Sequence, residues 1–446
     1  MRRTLKHISY SMGNFANTIA YQVFGNRIQF YYVDILGLNA ATAGVLWTIY
    51  GLWNAVNDPL MGQVSDRTRS RFGRRVPYVA FGAIPLGLSF FFLWTPLTQS
   101  PWVLAAYFLM ILFIFDTLYS LTIIAYNALF PEVAPSVRDR VDLSATREIL
   151  ATVALLLSYI LAPIIAEEVG YLWMGAIMGA LIAMGYLIAM IGVKENPVDE
   201  SKEENLGLGA SLKTVMSSVP FRWFLGASIG KEYIWLVLGA MLPFWRKYAL
   251  GIQAPVNVFG AELGPGDAEA VLLGLAIVLA IPCLLLWRPI VLKLGYRRTW
   301  IVASFAFIPG LAIMGIANDF YTGLVGTLLV APGLAGSMIM PFPVISEVID
   351  DDAKKHGFRR EGLFFGMNGG ITKLAFSAQG VLFASVMSAA GYVAGETVQP
   401  ASAVAGIRFM ISGTAILASL LIAFCMWKYP LGRESHVTVV PELASD

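Results

Sequence analysis

Long apolar stretches alternate with short polar connections along the whole chain. An α-helix rises about 1.5 Å per residue, so roughly 20 apolar residues cross the hydrocarbon core of a bilayer. The pattern predicts twelve membrane-spanning helices, near residues 8–36, 41–64, 76–96, 102–130, 145–167, 171–193, 221–247, 268–292, 299–317, 322–349, 362–389 and 404–428. Composition agrees, because 57% of the 446 residues are hydrophobic and 13% are charged, against about a quarter charged in soluble proteins. The predicted fold class is an all-α membrane protein.

Basic residues are concentrated in alternate connections between the predicted helices. They follow the second, fourth, eighth and tenth helices, at Arg67, Arg69, Arg71, Arg74, Arg75, Arg138, Arg140, Lys293, Arg297, Arg298, Lys354, Lys355, Arg359 and Arg360. Few basic residues lie near the connections on the opposite side; the exceptions are Arg246, Lys247 and Arg408. Because an excess of Lys and Arg marks cytoplasmic connections, both termini are predicted to be cytoplasmic. The same rule explains the arginine run as a topology signal, so no nucleic-acid partner is expected.

A charged, non-periodic stretch divides the predicted helices six and six. We interpret it as a linker between two bundles, with an N-terminal six-helix bundle at 1–193, a cytoplasmic linker at 194–220, a C-terminal six-helix bundle at 221–430 and a cytoplasmic tail at 431–446. The basic motif at 71–75 recurs at 293–298, and the segments 131–133 and 147–148 recur at 346–348 and 360–361. Two matches at a similar offset and the same topological position indicate a duplicated unit. A solute would then bind near the midplane between the halves.

Cysteine and histidine positions exclude several kinds of site. Cys283 and Cys425 fall inside predicted helices and supply no disulfide framework. His7, His356 and His436 fall in segments predicted to be cytoplasmic, so they cannot form a metal site or a proton relay within the membrane. His-Glu-x-x-His is also missing. We therefore expect neither an enzyme nor a cofactor.

The strongest candidate for chemistry is a polar segment of the second predicted helix. Asn54, Asn57 and Asp58 lie at i, i+3 and i+4 and so share one face. Pro59 cannot donate a hydrogen bond and leaves a backbone carbonyl available. A carboxylate at bilayer depth costs about 3 kcal/mol, which favours a functional reason over simple hydrogen bonding. This oxygen-rich cluster suits a small cation or a proton.

The fourth predicted helix offers a second carboxylate. Asp116 and Ser120 share a face one turn apart, and Asn127 lies two turns further along. Asp116 could complete a cation site with Asp58 if the second and fourth helices pack together. It could equally pair with Arg147, early in the fifth helix. The residues alone leave both arrangements open.

The first predicted helix carries a polar face, which cannot lie toward lipid. It consists of Asn14, Thr18, Gln22, Asn26 and Gln29. These side chains either form interhelical hydrogen bonds or line an aqueous cavity. Arg27 beside them either extends outward to the interface or points inward and recognises an anion.

Three further charges fall inside predicted helices. Lys231 and Glu232 are adjacent and point about 100° apart, so we expect that they do not neutralise each other and that at least one has a partner on another helix. Lys373 lies near the midplane, where an unpaired ammonium is costly. Its expected partner is a carboxylate of the second or fourth helix.

Several motifs resemble one known family. They are Asn57-Asp58-Pro59 with Gly-Gln-Val-Ser-Asp-Arg-Thr-Arg-Ser-Arg-Phe-Gly-Arg-Arg-Val-Pro-Tyr at 62–78, the segment 31–37, and Arg359 through Lys373. Over essentially its whole length the chain resembles the glycoside-pentoside-hexuronide:cation symporter family of the major facilitator superfamily.

The resemblance implies a major facilitator fold of two six-helix bundles that work by alternating access. It implies a cation site at Asn54, Asn57, Asp58 and Ser120, an intramembrane lysine at Lys373 and a functional arginine at Arg147. The chain departs from melibiose permease, a member of that family, which has aspartates at the positions of Asn54, Thr18 and Ile123 and an aromatic residue at that of Asn127. A galactoside site of that kind is therefore absent, and sodium coordination is weaker unless Asp116 compensates.

The expected function is symport of a sugar or glycoside with H⁺ or Na⁺ across the cell membrane, by a monomer. The cation site would comprise Asn54, Asn57, Asp58, Ser120 and Asp116, with Na⁺ at Asp58 as the only conceivable metal. The expected substrate-binding residues are Asn14, Thr18, Gln22, Arg27, Asn127, Arg147, Lys231, Glu232 and Lys373. The alternatives are transport of an amphipathic, lysolipid-like or anionic solute, or a non-transporting membrane sensor with the same fold.

Overall fold

The computed structural model describes residues 3–70, 72–73, 75–98, 100–134, 137–191, 193, 213, 215–258, 260–356 and 361–432, most of them helical. Most of the predicted linker at 194–220 lies outside the described residues. So does the predicted tail from residue 433 onward, together with Arg71, Arg74, Arg359 and Arg360.

Residues 3–189 form the first set of helices. These are α1 (Arg3–Phe30), α2 (Ala40–Arg67), α3 (Val76–Ala80), α4 (Ala83–Phe92), α5 (Pro101–Ala128), α6 (Phe130–Val133), α7 (Val137–Glu168) and α8 (Tyr171–Ala189). Local signals explain where several begin. Asn39 caps α2, because its side chain accepts hydrogen bonds from the backbone N–H of Ala41 and Thr42. Pro101 opens α5 at a position where no intrahelical donor is needed.

Residues 219–428 form the second set. These are α9 (Val219–Phe244), α10 (Pro265–Ile316), α11 (Phe320–Ile339), α12 (Pro341–His356), α13 (Glu361–Thr372), α14 (Leu374–Ala389), α15 (Ala401–Arg408) and α16 (Thr414–Lys428). Short π-helical turns extend α1 at Tyr31–Ile35 and α9 at Trp245–Ala249, and a third, Phe409–Gly413, joins α15 to α16. Strands β1 (Val256–Val258) and β2 (Ala261–Leu263) form an antiparallel hairpin between α9 and α10.

By length and composition, eight of the described helical stretches could cross a membrane. They are Pro101–Ala128, Asp142–Glu168, Tyr171–Ala189, Val219–Ala249, Pro265–Ile316, Phe320–His356, Leu363–Ala389 and Ala401–Lys428. Helices α1 and α2 have 28 residues each but carry the polar faces noted above. The count of twelve spanning helices stays a prediction.

Several predicted helices are interrupted. Two of them, 268–292 and 299–317, lie on either side of Gly295 within the 52-residue α10. Gly295 has φ 75°, a conformation that residues with a Cβ rarely adopt. The predicted helix 322–349 breaks at Met340, because Pro341 cannot donate to the preceding turn. The predicted helix 362–389 breaks at Lys373, between α13 and α14.

Among the described residues, the main contacts between the two sets are those of α1 with α9, of α2 with α13 and α14, and of α7 with α10. The α2–α14 contact is close because glycines face each other. A Cβ built on Gly44 would lie 2.7 Å from the carbonyl oxygen of Gly380. The end at which α1 begins and α16 ends is named the near end. The end with the hairpin and the π-helical turns of α1 and α9 is named the far end.

Candidate functional site

A central cavity of about 220 Å³ lies among α1, α2, α5 and the break between α13 and α14. Its described lining residues are Tyr21, Phe24, Tyr50, Asn54, Asp58, Phe115, Tyr119, Ile123, Ile124, Asn127 and Lys373. Asn127 is exposed and lies near the near-end terminus of α5. The lining therefore combines aromatic surface with one ion pair and two amides.

Asp58 and Lys373 form the ion pair of the cavity. The Lys373 Nζ atom lies 2.5 Å from Asp58 Oδ2, and Ser120 donates a hydrogen bond of 2.5 Å to Asp58 Oδ1. The side chains of Lys373 and Asp58 keep 18% and 24% of their surface exposed. The expected pairing of Lys373 with a carboxylate of the second helix is therefore observed. Because α2 and α14 belong to different sets, the pair bridges them.

Asp116 lies beside this pair but has no cation of its own. It is 1% exposed, and its carboxylate accepts hydrogen bonds from Asn57 Nδ2 at 2.8 Å and from the Tyr50 hydroxyl at 3.4 Å. Among the described residues it forms no ion pair. Helices α2 and α5 therefore pack together, and the alternative pairing of Asp116 with Arg147 is wrong. A buried carboxylate without a cation is costly, so a proton or a small cation would stabilise it.

Two amide oxygens next to the carboxylates have no hydrogen-bond partner among the described residues. Asn54 donates to the Tyr50 hydroxyl at 3.2 Å, but its Oδ1 atom and that of Asn57 are buried and unpartnered. Such groups cost about 1–3 kcal/mol when they are left unsatisfied. Carboxylate and amide oxygens are the ligands that hard cations prefer. No cluster of three or more His, Cys, Asp or Glu side chains occurs in the described part of the chain. The candidate ligands here are the two carboxylates and the neighbouring amide and hydroxyl oxygens.

Arg147 of α7 lies at the near-end side of the cavity with Asn14 and Asn127. Its Nη2 atom donates to Asn127 Oδ1 at 2.8 Å and to Asn14 Oδ1 at 3.4 Å. Its guanidinium lies 5.2 Å from the centre of the Tyr126 ring and 5.3 Å from that of Phe130. It forms no ion pair with any residue that the structure describes. Its side-chain hydrogen-bond partners among the described residues are neutral amides, so no carboxylate is hydrogen-bonded to this guanidinium there.

The polar face of α1 forms hydrogen bonds to other helices at two levels along its length. Toward the cavity, Gln22 Oε1 accepts hydrogen bonds from the Tyr159 hydroxyl at 2.8 Å and from Trp235 Nε1 at 3.3 Å. Toward the far end, Gln29 and Gln379 exchange two hydrogen bonds, of 2.9 and 2.8 Å, and join α1 to α14. These contacts are interhelical hydrogen bonds, the first of the two interpretations that the sequence left open, and the described cavity lining takes only Tyr21 and Phe24 from α1.

Thr18 contributes less to the solute site than expected, because its hydroxyl donates a hydrogen bond of 2.9 Å to the Asn14 carbonyl of its own helix. Aromatic residues contribute more. Tyr21, Tyr119, Tyr159 and Trp235 all hold polar side chains at or near the cavity. Sequence reasoning missed them, because aromatic residues are also ordinary packing residues in membrane helices.

The expectation for Lys231 and Glu232 was wrong in one respect. The two side chains form an ion pair of 2.9 Å, because the long lysine side chain bends back across the 100° offset of the two Cα atoms. The expectation that one of the two has a partner on another helix is confirmed, since Glu232 also accepts a hydrogen bond of 2.7 Å from Tyr21 on α1. Glu232 therefore links α9 to α1.

Arg27 is not open to a solute in this conformation, contrary to its expected role in anion recognition. It is 2% exposed and donates to both carboxylate oxygens of Glu269 on α10, at 2.6 and 3.2 Å. Arg246 completes the group, with Glu269 at 3.2 Å and Glu167 of α7 at 2.6 Å. This buried network joins helices of both sets toward the far end.

A second charged group closes the far end. Asp34 lies on the π-helical turn after α1, and Lys247 on the corresponding turn after α9. Their side chains form an ion pair of 2.6 Å. Asp34 also accepts hydrogen bonds from the hydroxyls of Tyr248 and Tyr392, the latter at 2.6 Å. Sequence reasoning missed Asp34, because a carboxylate at a helix end is typical of a water-exposed position.

One segment has the Gly-x-Ser-x-Gly spacing of hydrolases, at 226–230. It lies in the middle of α9, whereas a nucleophile elbow needs a strand-to-helix turn. Ser228 is buried, 4% exposed, and within the part of the chain that the structure describes its hydroxyl has no hydrogen-bond partner. The spacing therefore carries no catalytic arrangement.

Known transporters are similar to this chain over nearly its whole length. The isoprimeverose transporter of Lactiplantibacillus pentosus is 23% identical, over 99% of this chain and 90% of its own length. The glucuronide carrier protein homolog of Escherichia coli K12 is also 23% identical, over 98% and 94%. The crystal structure of the nucleoside transporter NupG superposes with a TM-score of 0.67 at 14% identity, covering 96% of this chain and all of that one. The last comparison shows the fold alone.

These relatives and structural neighbours are transporters, not enzymes. Together with the apolar helices they identify a multi-pass integral protein of the cell membrane that acts as a secondary transporter. Residues 9–433 match the family described as MFS/sugar transport protein. The chain therefore belongs to this family of the major facilitator superfamily, which contains the glycoside-pentoside-hexuronide type of symporter that the motifs resemble.

Proposed function

We propose that the protein couples entry of a cation, H⁺ or Na⁺, to symport of a sugar or glycoside by alternating access. The observation that carries this proposal is the ion pair between Asp58 and Lys373, which borders the cavity and bridges the two helix sets. A cation or proton at Asp58 competes with the lysine ammonium for the same carboxylate. Occupation of the site therefore changes a contact between the two halves.

The conformation supports this mechanism. Charged networks at Arg27 and Asp34 close the far end, while Asn127 is exposed toward the near end. We assign the near end, where α1 begins and α16 ends, to the cytoplasm, and this conformation would then be inward-facing. Two bundles, at 1–193 and 221–430, would rock about the cavity between them. The neutral pair Gln29 and Gln379 and the close contact at Gly44 would separate when the far end opens.

Asn54, Asn57, Asp58, Ser120 and Asp116 would form the cation site. Asp58 supplies the competing charge, and Asp116 supplies a second carboxylate without its own cation. The unpartnered amide oxygens supply neutral ligands. With Na⁺ the two carboxylates and these oxygens would surround the ion. With H⁺ one carboxylate would take the proton, and the amides would rearrange around it.

The solute would bind among Tyr21, Tyr119, Asn127, Arg147 and Lys373. Aromatic rings stack on the apolar faces of sugars, and amides and hydroxyls bond to their hydroxyl groups. Within the sugar class, Arg147 favours a solute that carries a carboxylate, because the arginine has only neutral partners. A glucuronide-like solute combines both features, and one of the relatives is named a glucuronide carrier homolog.

The test uses purified protein in liposomes. Neutral and acidic sugars and glycosides are first screened by thermal shift with and without Na⁺ at several pH values, since a bound ligand stabilises the folded state. Hits are then tested for uptake driven by a Na⁺ gradient or a pH gradient. Asp58→Asn should abolish ion-driven accumulation and leave the protein folded. Full accumulation by Asp58→Asn would remove the carboxylate from the coupling mechanism.

A further inference from the structure

A basic pocket lies at the near end, separate from the central cavity. It has a volume of about 450 Å³, and its described lining residues are Arg297, Arg298, Trp427 and Lys428. Arg297 and Arg298 lie just after the break of α10 at Gly295, and Trp427 and Lys428 end α16. Three cations and one aromatic ring therefore meet where two helices of the second set come together.

Hydrogen bonds fix the position of this pocket. Arg297 Nε donates to the carbonyl oxygen of Met426 at 2.8 Å, and its Nη2 atom donates to that of Trp427. These carbonyls belong to the last turn of α16, which has no intrahelical donors left for them. Arg297 thus holds α10 to the end of α16. The nearby carboxylate, Glu347, accepts a hydrogen bond of 3.1 Å from Tyr429.

The other two cations are available to a ligand. Arg298 and Lys428 are both exposed. The Lys428 ammonium lies 4.5 Å from the centre of the Trp427 ring, which is 58% exposed. Tryptophan beside lysine at a helix end is typical of the boundary between the hydrocarbon core and the headgroups.

An apolar stripe on α16 leads directly to the pocket. Its exposed side chains recur at three- or four-residue spacing, so they lie on one face of the helix. They are Leu417, Leu420, Leu421, Phe424 and Trp427, each 42–59% exposed. In a membrane helix such a face contacts acyl chains. A lipid whose tail lies along this stripe would therefore have its headgroup at Arg298 and Lys428.

We propose that this pocket binds the phosphate of an anionic lipid headgroup, with one acyl chain along the exposed face of α16. Basic pockets between membrane helices suit such headgroups, and the cytoplasmic leaflet carries the anionic lipids. The same phosphate chemistry could come from a soluble anion. The apolar stripe favours the lipid, because inorganic phosphate gains nothing from it. The proposal does not depend on the identity of the transported solute or ion.

The experiment measures the thermal shift of purified full-length protein in detergent on addition of phosphatidylglycerol. Phosphatidylcholine, inorganic phosphate and glycerol 3-phosphate are added in parallel. The variant is Arg298→Gln/Lys428→Gln. The control is Lys293→Gln/Lys354→Gln, which removes two exposed near-end cations that do not line the pocket. Because each surface cation contributes about 1 kcal/mol to anionic-lipid binding, the pocket variant should bind phosphatidylglycerol about 30-fold more weakly.

Wild type and control should respond alike to phosphatidylglycerol and little to phosphatidylcholine. An equal response of the pocket variant would overturn the proposal. A response to inorganic phosphate alone that matches the lipid response would overturn the lipid assignment in favour of a soluble anion. If the double variant does not fold, native mass spectrometry of Arg298→Gln alone decides, through the fraction of protein that retains bound phosphatidylglycerol.

Discussion

Asp34 and Lys247 form an ion pair of 2.6 Å between two corresponding π-helical turns, one after α1 and one after α9. π-Helical turns occur frequently at functional sites. Here each turn brings a charged side chain to the far-end contact between the helix sets. The pair must break when the far end opens.

Asp34→Asn should therefore shift the population toward the far-end-open state. The asparagine leaves Lys247 without its carboxylate, and a buried charge that loses its partner is destabilising. Spin labels on the far-end connections would measure this as a longer distance between the halves. The charge exchange Asp34→Lys/Lys247→Asp should restore the closed distance in part. An unchanged distance in Asp34→Asn would show that this pair does not hold the far end closed.

Lys373→Gln should raise the apparent affinity of the cation site while abolishing coupled uptake. Without the ammonium, Asp58 loses its competing internal cation and is free for Na⁺ or H⁺. The midpoint of the Na⁺-dependent thermal shift should fall, or the pH midpoint should rise if the ion is a proton. Asp58→Asn/Lys373→Gln is the control, and it should show no ion dependence. A cation affinity below wild type in Lys373→Gln would contradict competition.

Much of the fold could be predicted from the apolar pattern, because that pattern repeats over about 20 residues and bilayer thickness sets its length. The breaks inside the helices were harder to predict from the sequence. Pro341 gives a local reason for the break at Met340, whereas Lys373 keeps helical backbone angles, with φ −64° and ψ −16°, and marks its break with no comparable residue.

The residues of the candidate site could also be predicted only in part. Asn54, Asn57 and Asp58 stand out, because polar residues on one face of a membrane helix need a reason. The residues of the far-end networks did not stand out in the sequence, because Glu269 and Asp34 lie near helix ends, where charged side chains are common. Arg27 was noticed, but its partner is 242 positions away. Only the folded structure shows that this arginine forms an ion pair with Glu269 between the two helix sets.

Asn57→Leu should destabilise the protein by about 1–3 kcal/mol, because it removes the shorter of the two hydrogen bonds to the Asp116 carboxylate. Asp116→Asn in the same background should recover most of the loss, since a neutral amide tolerates the apolar neighbour better. Chemical denaturation or thermal unfolding in a fixed detergent measures both. If the two changes are simply additive, the Asn57 contact does not serve Asp116.

Gly44→Ala should disfavour the present conformation by about 1–3 kcal/mol. The added methyl group would lie 2.7 Å from the carbonyl oxygen of Gly380, a backbone atom that cannot move aside cheaply. Gly25→Ala is a matched control on α1, because nothing lies within 4 Å of a Cβ there. That control should be neutral or slightly stabilising, since Ala favours helix over Gly by about 1 kcal/mol. Thermal unfolding separates the variants, and equal stability of both would contradict tight packing of α2 against α14.

Arg147→Gln should change the solute preference more than the stability. The guanidinium has two asparagine side chains as its polar partners and two aromatic rings beside it, so its charge is not needed to balance a carboxylate of the protein. Affinity for an acidic sugar should fall by about 10-fold or more, because a charge-assisted bond is worth about 1.5–3 kcal/mol. Affinity for the corresponding neutral sugar should change much less. Arg147→Lys should keep part of the preference, since lysine retains the charge but not the planar fork that binds a carboxylate. Competition of both sugars against one labelled solute measures the ratio directly. Equal losses for acidic and neutral sugars would assign Arg147 to the shape of the cavity and not to recognition of charge.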